Sequence, residues 1–124
     1  MNQRFEIRIA SDSGFFELSD KGNKLYVIEI WPKRSAEYFA NLLIDGADKR
    51  EDVEVKVTGL GRRSLHEAVC QVALFDGYGL FKCDTPNTGE SRNLEIFPKD
   101  FAVWLAKCLE FRPMTKVTYQ NFSS

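Results

Sequence analysis

Along the first half of the chain, apolar and polar positions alternate, then shift to a helical period, then alternate again. Phe5, Ile7 and Ile9 are interleaved with Glu6, Arg8 and Ala10, the period of a half-buried strand. A turn at Ser11 to Gly14 follows, then a short strand from Gly14 to Leu18, a second turn at Asp20 to Asn23, and a third strand from Leu25 to Trp31, rich in aromatic and β-branched residues. Pro32 ends that strand, because it has no amide hydrogen for a ladder, and it suits the first turn of a helix. Beyond it Ala36, Phe39, Ala40, Leu43 and Ile44 recur at helical spacing, and the helix is expected to end at Asp45-Gly46. Val53, Val55 and Val57 alternate with Glu54, Lys56 and Thr58 as a fourth strand.

The same order then returns. Ile28 to Leu43, IEIWPKRSAEYFANLL, reappears 66 residues later as LEIFPKDFAVWLAKCL, Leu94 to Leu109, with seven of sixteen positions identical, Pro32/Pro98, Ala36/Ala102 and Ala40/Ala106 among them. Cys70, Val72 and Leu74 match Phe5, Ile7 and Ile9 at an offset of 65, Asp76-Gly77 is a hairpin turn, and Gly79 to Cys83 matches Gly14 to Leu18. Lys116 to Phe122 takes the place of Val53 to Thr58 as an eighth strand. The pattern predicts an α+β fold: two tandem repeats of a β-β-β-α(-β) unit, with antiparallel curved sheets packed against two helices. Residues 1–124 read as a single domain of two repeats, about 4–59 and 69–122, joined by a basic Gly/Arg loop at 59–64. The small alanines of each helix stripe predict a close approach of helix to sheet.

Composition narrows the class of function. With 124 residues, 44% hydrophobic and 13% aromatic, the chain can bury a core. No apolar run approaches a membrane span, and the first ten residues alternate like a strand, so an intracellular protein of the cytoplasm, nucleoid or nucleus is expected, with no secretion and no membrane. Three cysteines without CxxC spacing, Cys70, Cys83 and Cys108, fit small buried side chains in a reducing compartment. A net charge of −1 excludes a polycation that holds nucleic acid by charge alone. Acidic residues gather after the first helix (Asp45, Asp48, Glu51, Asp52, Glu54), whereas Lys21, Lys24, Arg62, Arg63, Lys82 and Arg92 sit in turns and at strand ends.

Catalytic signatures are not what this sequence offers. The single histidine, His66, has no second histidine to form a zinc or acid–base pair. Gly59-Leu-Gly61 lacks the third glycine of a dinucleotide fingerprint, so backbone flexibility explains it better than a phosphate cradle. Neither cofactor nor metal nor enzymatic activity is expected. The strand faces carry more information. If Phe5, Ile7, Ile9, Phe16, Leu18, Ile28 and Ile30 point at the helices, the opposite face presents Arg8, Phe15, Glu17 and Lys56 in the first repeat and Phe75, Leu80 and Lys82 in the second. Rings and cations on one face suit single-stranded nucleic acid, whose bases stack on aromatics while cations follow the phosphates. Packing of that face against another sheet or a partner chain is the alternative. Tyr38 and Trp104, equivalent positions just off the two helix stripes, read either as core or as the contact of a homodimer.

The carriers Ile28-Glu-Ile-Trp-Pro-Lys33 and Leu94-Glu-Ile-Phe-Pro-Lys99, each running into an amphipathic helix, give the chain a resemblance to the PUR, Whirly and PC4-like group of single-stranded nucleic-acid binders. That resemblance is one of topology across nearly the whole chain. It implies sheets that bind single-stranded DNA or RNA, assembly through duplicated or dimerised units, and nucleic acid lying on Arg8, Phe15, Lys56, Phe75 and Lys82, with Arg62 and Arg63 clamping backbone from their loop. Four strands before each helix are typical of that group, and the first repeat here has three. The expected function is therefore a non-enzymatic single-stranded DNA or RNA binder; the alternative is a protein-interaction module, inhibitor or adaptor, on the same duplicated scaffold.

Overall fold

The computed structural model describes residues 2–61, 63 and 65–120. The first repeat comprises strands β1 (Gln3–Ile9), β2 (Gly14–Asp20) and β3 (Asn23–Ile30), helix α1 (Lys33–Asp48) and strand β4 (Val53–Thr58). The second comprises β5 (Ala68–Phe75), β6 (Tyr78–Thr85), β7 (Glu90–Ile96), α2 (Lys99–Phe111) and β8 (Thr115–Gln120). Each forms a four-stranded sheet, in the order β3-β2-β1-β4 and β7-β6-β5-β8.

The sheets are mixed, which corrects the expectation of antiparallel sheets. Two hairpins make β3 run in the direction of β1, the helix carries the chain back, and the fourth strand then runs forward again beside the first. It pairs in parallel, Gln3 opposite Val53 and Ala68 opposite Thr115, because a helical crossover rather than a tight turn precedes it. The expected tail of the eighth strand, residues 121 and 122, lies outside the described residues.

Small residues set how closely helix and sheet approach. A Cβ added to Gly14 would lie 2.6 Å from the Cβ of Ala36, and one added to Gly79 would lie 2.6 Å from that of Ala102. The helix-stripe alanines thus sit directly on glycines of the second strand in both repeats, as their spacing predicts. The end of α1 differs from the sequence expectation. Gly46 does not stop the helix, which continues to Asp48, because this glycine is a contact point: a Cβ there would fall 1.6 Å from the carbonyl oxygen of Cys108 on α2. Close packing of the two helices fixes glycine at that position, so it lies inside the helix and not at its cap.

The core is shared. Phe5, Ile7, Phe16, Leu18 and Ile30 of the first sheet join Cys70, Val72, Phe81, Cys83 and Ile96 of the second and the inner faces of both helices in one apolar cluster. All three cysteines are buried and unpaired, and burial pushes the Cys108 thiol up to about 11. Both Trp31-Pro32 and Phe97-Pro98 are cis peptides, and both aromatic side chains before the prolines stand exposed.

Candidate functional site

Strand alternation sorts the side chains onto two outward faces, one per sheet. On the first sheet, Arg8 stands directly opposite Phe15 on β2, and its guanidinium carbon lies 5.8 Å from the ring centroid. Lys56 on β4 is opposite Glu6, which in turn is opposite Glu17. Lys24 reaches across to Glu17 at 3.0 Å. Acidic and basic groups are mixed here: Arg4, Arg8, Lys24 and Lys56 share the face with Glu6, Glu17, Glu29 and Glu54, four of each sign. Glu29 also accepts a hydrogen bond from the buried Ser13 hydroxyl at 2.7 Å.

The outward face of the second sheet is of another kind. Its charges are Lys82 and Lys116 against Asp84 and Glu95, and its centre is apolar or amide. Ala73 faces Leu80, Gln71 faces Lys82, and Lys82 faces Asn93. Gln120 on the edge strand donates from Nε2 to Oε1 of Gln71 at 3.1 Å, so the amides are already organised across β5 and β8. These residues line a groove of about 480 Å³ across the sheet. At one end the rings of Phe75, Tyr78 and Phe97 form a ladder, with centroids 4.9 and 5.2 Å apart and planes inclined by 17° and 26°. Phe97 remains 54% exposed.

The nucleic-acid residues expected from the sequence are therefore divided. Arg8, Phe15 and Lys56 lie together on the first sheet, Phe75 and Lys82 on the second. Arg63 forms an ion pair with Asp45 of α1. Arg62 lies outside the described residues. Tyr38 and Trp104, read from the sequence as core or as a dimer contact, are 8% and 9% exposed and pack between the two repeats of one chain. Trp104 of α2 lies 4.9 Å from the Phe5 ring and donates to Gln3 Oε1 at 3.3 Å, both on the first sheet. Tyr38 of α1 shares a 2.8 Å hydrogen bond with Thr85 at the end of β6 in the second. The contact these aromatics make is between halves, and little of either is left for another chain.

Sequence reasoning missed the groove on the second sheet, because Gln71, Ala73, Asn93 and Gln120 are ordinary strand residues until the register aligns them. It missed also the aromatic ladder, though the like-for-like pair Trp31/Phe97 beside each proline was a usable signal. Among the described residues, no cluster of three or more His, Cys, Asp or Glu side chains is placed to hold a metal, and no helix is long and apolar enough to cross a membrane. Compared with known proteins, the chain matches no protein-family model, no curated protein and no solved structure.

Proposed function

We propose that this is a protein-interaction module that docks a neutral, partly apolar polypeptide surface on the outward face of its second sheet. The observation that carries the reading is the charge balance of the sheets. Phosphate backbones are held by a surplus of Lys and Arg, whose counterion release supplies most of the affinity. Four cations facing four anions on one sheet, and two facing two on the other, leave no such surplus. By contrast, the exposed Leu80 among the amides of Gln71, Asn93 and Gln120, with the Phe75, Tyr78 and Phe97 rings at one end and a few charges, matches the mixed apolar and polar composition of a protein interface.

Paired variants test this. Leu80→Glu with Gln120→Glu places charge in the groove, and Val27→Glu with Thr58→Glu places it on the first sheet. Cross-linking capture should recover a set of proteins with the parent and the first-sheet pair, and lose it with the second-sheet pair. Loss with the first-sheet pair alone would overturn the assignment.

A second reading, single-stranded DNA or RNA on the first sheet, rests on the Arg8 guanidinium held against the Phe15 ring with Lys56 on the same face. It is the reading that the PUR, Whirly and PC4-like resemblance favours. Fluorescence anisotropy with labelled single-stranded and duplex oligonucleotides at two salt concentrations separates the two. Single-strand binding that falls steeply with salt, and that Arg8→Ala with Lys56→Ala abolishes, would replace the protein reading with this one.

A further inference from the structure

Between α1 and the second repeat lies a polar cleft of about 300 Å³, separate from both sheet faces. Its wall includes Arg112, at the end of α2, which is only 3% exposed. One terminal nitrogen of this guanidinium donates to the His66 carbonyl at 2.9 Å and to the Thr115 hydroxyl at 2.7 Å, and its Nε has no partner. Among the described residues Arg112 forms no ion pair. Asp45, the carboxylate whose charge it feels, is itself bound by Arg63. Burial pushes the guanidinium below its ordinary value, yet an arginine remains protonated at neutral pH. A buried cation without a counter-charge is costly, and proteins ordinarily pair it.

The rest of the lining brings a second guanidinium, Arg34, and the polar side chains of His66 and Asn41. The two carboxylates on the wall are Glu37 and Glu90, and Arg92 neutralises the second at 3.3 Å. The equivalent turns of α2 carry Asp100, Val103 and Lys107 where α1 carries Arg34, Glu37 and Asn41, so the cleft is not a by-product of the duplication.

We propose that this inter-repeat cleft binds a small organic anion, a carboxylate or a phosphate, with Arg112 as the buried counter-charge and Arg34 closing on the anion from the rim. Arg34 is exposed and, among the described residues, makes no side-chain hydrogen bond or ion pair, whereas Arg112 also ties the 65–67 segment to α2 and β8, so the two residues separate binding from folding.

The test is a titration of the ¹⁵N-labelled full chain, in buffer free of chloride, with inorganic phosphate in one arm and acetate in the other. The expected result is a saturable shift of the Asn41, His66 and Thr88 amide signals in at least one arm, and the stronger arm identifies the head group. Arg34→Gln should weaken that binding about tenfold, the loss of one charge-assisted contact, while Lys107→Gln, an exposed cation on the other helix, should leave it unchanged. Arg112→Lys keeps the charge without the planar fork and should weaken binding at least as much; if it does not fold, the Arg34 and Lys107 pair still decides. The proposal is overturned by non-saturating shifts in both arms, by shifts that avoid the cleft, or by equal weakening in the Arg34 and Lys107 variants.

Discussion

Tyr38 and Trp104 stand 66 residues apart at the same place in equivalent helices, and each crosses from its own repeat into the other. Trp104 packs on Phe5 at 4.9 Å, and Arg50 covers it with its guanidinium carbon 4.6 Å from the ring. Tyr38, equally buried, has its hydroxyl on Thr85 and Arg92 5.9 Å from its ring, and it borders the polar cleft. Two repeats of one pattern thus make a closed junction on one side and an open, polar junction on the other. Duplication preserved the core positions, and the residues bordering them diverged to give the halves different surfaces.

The comparison is most strongly broken at the closed junction. Trp104→Ala should cost about 3 to 5 kcal/mol, because the ring leaves a cavity that Phe5 and Phe101 cannot fill, and urea denaturation measures it. A loss below about 1 kcal/mol would show that the halves do not depend on this contact.

The glycines beneath the helix alanines test whether the halves are equivalent inside. Gly14→Ala and Gly79→Ala meet the same obstacle, an alanine Cβ at 2.6 Å, and each should destabilise by about 1 to 3 kcal/mol. Matching thermal shifts in the two variants confirm equivalence; a twofold difference would locate the slack in one repeat.

At the open junction, Tyr38→Phe keeps the ring and removes the hydroxyl, leaving Thr85 without its partner, a cost of about 1 kcal/mol. The same variant has a pH signature. Burial pushes the Tyr38 hydroxyl from its ordinary 10.0 up to about 12, so the folded state holds its proton where the unfolded chain releases it. Stability from this group is complete below pH 10 and declines as pH rises towards about 12. Tyr38→Phe should flatten that alkaline decline, and a pH series of melting temperatures that is identical in both proteins would contradict the assignment.

The smallest effect is expected outside. Lys24→Gln removes an exposed ion pair with Glu17 and should change stability by less than about 0.5 kcal/mol, less still in high salt. A larger change would mean that the mixed charges of the first sheet act as a network.

Much of this architecture is written in the pattern. Pro32 and Pro98 locate both strand-to-helix transitions, and the strand alternation places Phe5, Ile7, Phe16, Leu18 and Ile30 inside, because a period of two leaves one face to bury. The alanine stripe foretells the close helix–sheet approach. Gly46 misleads, since a glycine near the end of an apolar stripe resembles a cap and only the neighbouring helix shows it to be a contact. The direction of β4 and β8 is equally hidden, because alternation is the same in parallel and antiparallel pairs.

The chain by itself thus determined two β-β-β-α-β units, their inward residues and the placement of Arg8 with Phe15 and Lys56 on one outward face, since these follow from local periodicity and strand order. Tertiary structure alone decided that the charges on that face cancel, that Tyr38 and Trp104 join the two halves, and that Arg112 is buried beside a cleft with no ion pair to it among the described residues. The reason is physical. Periodicity specifies the side of an element on which a residue lies, whereas charge balance and burial depend on register and docking between segments distant in the chain.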